Sequence, residues 1–145
     1  MKKLFFALVA LMVISCGSKD DTTPQVTTSY AVKFEYSPAK EAQSQLTYDA
    51  KLKETLYMHE YNSNGNEIDS KSWIGPNVGQ EKTFNANSSA VCVVIQCEVV
   101  GTARDGSVIA MSRYITNPLK LEKGGKVITS LTASTQMSTS NPMRK

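Results

Sequence analysis

One histidine, one tryptophan and three cysteines are all that 145 residues supply of the side chains that most often carry chemistry. With His59 as the only imidazole, a histidine-dependent nucleophile needs a Ser, Cys or Asp brought to that one position. No Gly-x-Ser-x-Gly elbow, phosphate-cradling glycine loop or His-Glu-x-x-His pair occurs. A metal site wants more ligands than one His and two spare thiols offer. These gaps argue against an enzyme and against a bound metal or cofactor. Basic clusters interleaved with aromatics are also missing, so nucleic-acid binding has no electrostatic footprint. Long apolar runs are lacking too, except Leu4–Ile14. Eleven helical residues rise about 16 Å, short of a hydrocarbon core of roughly 30 Å.

That run is informative because of its flanks. Met1-Lys2-Lys3 precedes it and Ser15-Cys16-Gly17-Ser18-Lys19-Asp20-Asp21 follows it. A positive start, an apolar stretch and a small-residue boundary predict a cleaved export signal over residues 1–15. Val13-Ile14-Ser15-Cys16 resembles the lipobox of bacterial lipoproteins. The resemblance implies a diacylglycerol on the Cys16 thiol, cleavage before Cys16 and acylation of the new amine. Two or three acyl chains at about 0.8 kcal/mol per buried methylene make a durable anchor. Lys19-Asp20-Asp21 resembles the export signal of surface lipoproteins in Bacteroidota, and a solvated tether is the alternative reading of the same charges. Removing Lys2 and Lys3 leaves 14 basic and 13 acidic residues, so the mature chain is close to neutral.

Residues 16–29, rich in Thr, Ser and Asp, bury too little to offset their ordering entropy and are expected to form a polar tether. Residues 137–145 have the same composition and read as a polar tail. Between them, residues 30–136 suffice for one domain.

Within that domain the dominant period is two. Tyr30, Val32, Phe34 and Tyr36 share a face opposite Lys33 and Glu35. Ser37 stands as a possible cap on one turn of helix in "PAKEAQSQ". In "QLTYDAKLKETLYMHEY" Leu46, Tyr48, Ala50, Leu52, Leu56 and Met58 fall on even positions, a set broken between 46 and 58 only by Glu54. This predicts strands near 46–52 and 55–61; a helix is the other reading, without a clean apolar stripe. Asn64-Gly65 signals a hairpin into Glu67–Ile74. "KTFNA" is a short strand, "AVCVVIQCEVV" a central strand covered on both faces. Asp105-Gly106 turns into "VIAMSRYI", and Gly124-Gly125 into "KVITSLTAS". Cys92 and Cys97, five apart on one strand, point to opposite faces and do not pair.

Seven or eight short strands with turn signals between them predict an all-β, antiparallel β-sandwich of immunoglobulin-like type. The whole resembles small lipoproteins of Bacteroidota that carry a single Ig-like or fibronectin-like domain. That resemblance implies a non-catalytic protein at the outer membrane, displayed on the cell surface or facing the periplasm. Its domain would serve binding or assembly with an outer-membrane protein partner, or adhesion. A glycan is the alternative ligand. If Leu56 and Met58 face the core, Tyr57, His59 and Tyr61 point outward, and Trp73 on the paired arm would extend a ring-stacking surface.

Overall fold

The computed structural model describes residues 27–133 and 137–144. The fold is mainly β and sandwich-like. One sheet has three strands in the order β4-β1-β8; the other has the order β3-β2-β5-β6-β9, with β7 on β5. In chain order the elements are β1 (Ser29–Phe34), α1 (Pro38–Gln45), β2 (Lys51–Tyr61), β3 (Glu67–Ile74), β4 (Gln80–Asn85), β5 (Cys92–Thr102), β6 (Val108–Ile115), β7 (Leu119–Lys120), β8 (Lys126–Leu131) and β9 (Met137–Ser138).

The period-two pattern places the core. Tyr30, Val32 and Phe34 of β1 meet Leu56 and Met58 of β2 and Val93, Ile95, Cys97 and Val99 of β5 between the sheets. β5 is buried on both faces at Val93, Val94 and Ile95, as its unbroken apolar run predicts. Cys97 lies in the inter-sheet core. Cys92 lies in a second cluster with Tyr61 and Val94, and both thiols are free.

Three expectations need correction. The sandwich is not wholly antiparallel, because β8 runs parallel to β1, Ser29 beside Lys126 and Phe34 beside Leu131. The Gly124-Gly125 turn reverses the chain, but it carries it from β7 on the large sheet to the free edge of β1 rather than back along β6. A turn sequence encodes reversal, not the identity of the next neighbour. Secondly, the span 46–61 holds one strand rather than two, Lys51–Tyr61. The Gln43 amide holds the preceding segment out of the sheet, donating to the Tyr48 carbonyl (2.9 Å) and accepting from the Ala50 N–H (3.0 Å). Thirdly, β7 and β9 bring the count to nine described strands.

The helix runs for eight residues rather than one turn. Ser37 caps it, its Oγ accepting from the Lys40 N–H (3.1 Å). The same hydroxyl donates to Glu54 Oε2 (2.8 Å), and Glu54 Oε1 accepts the Ala39 N–H (2.7 Å). The break at Glu54 in the even-numbered apolar set of β2 is thus a carboxylate that satisfies the orphan donors of a neighbouring helix. Glu54→Ala is expected to cost about 1–3 kcal/mol. It should also raise amide exchange across Pro38–Gln45 more than across β5, measured by hydrogen exchange.

Both long hairpins close in the same way. Asn62 N–H donates to the Asn66 carbonyl and Ala103 N–H to the Ser107 carbonyl, with Gly65 (φ 78°) and Gly106 (φ 85°) in the left-handed region. Each is a three-residue turn ending in a glycine bulge. Of the Asn64-Gly65 pair, only the glycine takes positive φ.

Candidate functional site

Of the residues assigned roles from the sequence, Cys16, Lys19, Asp20 and Asp21 lie outside the described residues. The other four do not form one surface. Tyr57 and His59 lie on the outer face of the large sheet, half-buried, their rings stacked at 6.2 Å with an interplanar angle of 29°. Tyr61 shares their face but is buried, packed with Cys92 and Val94 against Tyr114 and Met143. Asn141 donates to its hydroxyl oxygen at 2.9 Å. Two of the covering residues, Asn141 and Met143, come from the segment 137–144, read from the sequence as a polar tail.

Trp73 turns the other way. It pairs with Leu56 and packs edge-on to Phe34, 6.5 Å between ring centres. The cause is a bulge in the β2–β3 ladder. Tyr61 pairs with Glu67, but Glu60 pairs with Asp69, so Ile68 has no opposite number. One extra residue flips every following side chain of β3 to the other face.

The outer face holds a polar row across four strands, β3, β2, β5 and β6. His59 Nδ1 bonds Glu67 Oε1 (2.8 Å), and its Nε2 bonds Gln96 Oε1 (2.9 Å). Gln96 Nε2 donates to Ser112 Oγ (3.1 Å). Tyr57 donates its hydroxyl proton to Glu98 Oε2 (3.2 Å). Burial, helped by the Glu98 charge, pushes the Tyr57 phenol above its ordinary value. An imidazolium satisfies both His59 partners as placed. A neutral ring keeps both if the Gln96 amide turns over and the Ser112 hydroxyl donates to it.

The inner end of the same hairpin holds a group that the sequence reading passed over. Glu60 is fully buried on the core side. Its Oε1 accepts from the Tyr30 hydroxyl (3.0 Å) and from the Lys71 ammonium, and its Oε2 accepts from the Asn87 N–H (2.7 Å). Lys71 also donates to Asp69 Oδ2 (2.8 Å). Burial alone would lower the Lys71 pKa, but the bonds to Asp69 and Glu60 outweigh it and leave it raised. Burial, then the Glu60 charge, drives the Tyr30 phenol far above its usual range. The available signal was parity: Glu60 continues the inward set Leu56, Met58.

A cleft of 580 Å³ opens where α1 meets the end of the β2–β3 hairpin, lined by Lys40, Leu52, Lys53, Ile74 and Pro76, with Glu54 at the helix start. Among the described residues, no three of His, Cys, Asp and Glu converge as metal ligands would, and no helix is long and apolar enough to cross a membrane. Compared with protein-family models, curated proteins and solved structures, the chain matches none.

Proposed function

We propose that this chain is a non-catalytic lipoprotein, held by acyl chains on Cys16 at the outer membrane and displayed on the cell surface, whose sandwich is a binding or assembly module. The observation that carries the reading is the order of parts. Two lysines and an apolar run, a cysteine directly after Ile14-Ser15, and Lys19-Asp20-Asp21 lead through a polar stretch into a two-sheet domain whose first described strand starts at Ser29. Such a domain would be held at the membrane and solvated above it.

The finer fold reading is immunoglobulin-like. The order β3-β2-β5-β6 is that of strands C′-C-F-G in a variable-type sheet, and β4-β1 stand as E and B. The departure is β8, parallel to β1 where strand A would run antiparallel. A partner protein in an outer-membrane complex or adhesion system is favoured over a glycan, because a four-ring stacking surface is not formed. Only Tyr57 and His59 remain for sugar contact, and both have hydrogen-bond partners.

The test is protease shaving of intact host cells, with a periplasmic control protein. Wild type should be digested while the control survives, and Lys19→Ala/Asp20→Ala/Asp21→Ala should protect it. Cys16→Ala should abolish incorporation of labelled palmitate into the protein and leave the uncleaved precursor. Digestion of wild type only after lysis would move the display to the periplasmic face. Palmitate label that survives Cys16→Ala, or a wild type that takes up none, would end the lipoprotein reading.

A further inference from the structure

The edges of the two sheets are not alike. β3 carries Glu67, Asp69 and Lys71 and β4 carries Glu81 and Lys82, while β8 has its one charge, Lys126, at its start and is uncharged from Val127 to Leu131. Charges of this kind keep edge strands from pairing with other chains. From Val108 to Ser112, β6 reads Val-Ile-Ala-Met-Ser without a charge. Val108 is 74% exposed. On its far side β6 pairs, among the described residues, with β9 alone, at Tyr114 and Ile115. The edge already accepts an antiparallel strand, and that strand stops after two residues.

The backbone phase of this edge follows from the hairpin. Ala103 and Ser107 form a hydrogen-bonded site. The ladder continues through Thr102–Val108, Gly101–Ile109 and Val100–Ala110. Bonded pairs alternate in an antiparallel ladder, so Ile109 and Met111 exchange their bonds with β5. Val108, Ala110 and Ser112 therefore turn their N–H and C=O groups outward, away from β5. The Ser112 carbonyl takes a 3.2 Å bond from Arg113 Nη1, a flexible donor that a strand N–H replaces.

We propose that this edge binds a second copy of the chain, β6 against β6 antiparallel, with Ala110 opposite Ala110 across a two-fold axis. Val108 then faces Ser112 of the other copy and Ile109 faces its Met111. The outward groups of Val108, Ala110 and Ser112 come into phase, each pair exchanging both N–H···O bonds. The sequence is self-complementary in this register. The smallest side chain sits on the axis, and apolar Ile109 and Met111 meet on the core side. β9 sets the limit, since the partner's turn begins where Ser138 occupies Tyr114. The two large sheets become one, and the interface is isologous. This inference does not depend on the lipid anchor or on surface display.

The test is sedimentation of the full chain in mild detergent, with bismaleimide crosslinking of the chain in native membranes. Wild type should sediment as a dimer at high concentration. Ala110→Lys places like charges directly opposite each other and should give monomers with an unchanged circular dichroism spectrum. Thr83→Lys on β4 should leave the dimer intact. Ala110→Cys should crosslink to itself through a short spacer, since facing Cα atoms lie about 5.5 Å apart, whereas Thr83→Cys should not. A monomeric wild type, a dimer that survives Ala110→Lys, or absence of the Ala110→Cys crosslink overturns the proposal.

Discussion

Lys71→Met is expected to lower the unfolding free energy of the domain by about 3–5 kcal/mol, the usual cost of removing one partner of a buried ion pair. Glu60 has no contact with water. Without the ammonium, its carboxylate keeps only the Tyr30 hydroxyl and the Asn87 N–H as donors, too little to replace a charge partner in a low dielectric. Glu60 also joins distant parts of the fold: Tyr30 in the small sheet, Lys71 on β3 and the loop after β4. The loss should therefore appear as one cooperative shift of the whole transition in urea, not as local fraying. Glu60→Gln combined with Lys71→Met should recover more than half of it. The glutamine carbonyl can accept from Asn87 and its amide can donate to the Tyr30 oxygen, so no charge stays buried. A double variant as unstable as Lys71→Met alone would mean that Lys71 acts through packing of its stem rather than through its charge.

Stability should also fall steeply at alkaline pH. Burial, reinforced by the charges of Glu54 and Glu98, pushes the Cys97 thiol from 9.0 up to about 12. Burial raises Cys92, and burial with Glu60 raises Tyr30. Each group holds its proton in the native state to a higher pH than in the unfolded chain. Above the unfolded values the unfolded state binds fewer protons, so the slope of stability with pH is negative. The contribution is whole below about pH 8.5–9 for the thiols and about 10 for the phenol. It is lost as pH rises toward the native values. Urea titrations at stepped pH should show the midpoint dropping between 9 and about 12, with a shallower drop in Cys97→Ala. The tyrosinate band of Tyr30 should appear only together with unfolding. A flat midpoint across that window would contradict the burial of these groups.

Much of the inner layer was legible in the sequence. Alternation marked Tyr30, Val32 and Phe34, and the unbroken run marked β5 as central. Spacing put Cys92 and Cys97 on opposite faces, and Ser37 was readable as a cap because capping is local. What escaped was non-local. Nothing near Lys126 announces that β8 will lie beside β1, since that pairing closes over almost the whole domain. Trp73 escaped for a different reason. Parity carried through the Asn64-Gly65 turn would place it outward with Tyr57 and His59. A single unpaired residue, Ile68, reverses that parity, and bulges leave little trace in composition. Glu60 was within reach of the parity argument. Glu54 was read only as a break in the even-numbered set and Glu60 was given no role, and the chain uses both as inward-facing acceptors.

The parallel pairing of β1 with β8 also has a mechanical meaning. β1 is the first of the described strands and lies in the middle of its sheet, with β4 on one side and β8 on the other. A pull on its N-terminal end runs along the strand axis. Both ladders, from Ser29 to Phe34, are then loaded in shear, and their rungs share the force together. An edge strand pulled from the side would open one rung at a time. The domain therefore meets tension from its N-terminal side on two ladders loaded along their length.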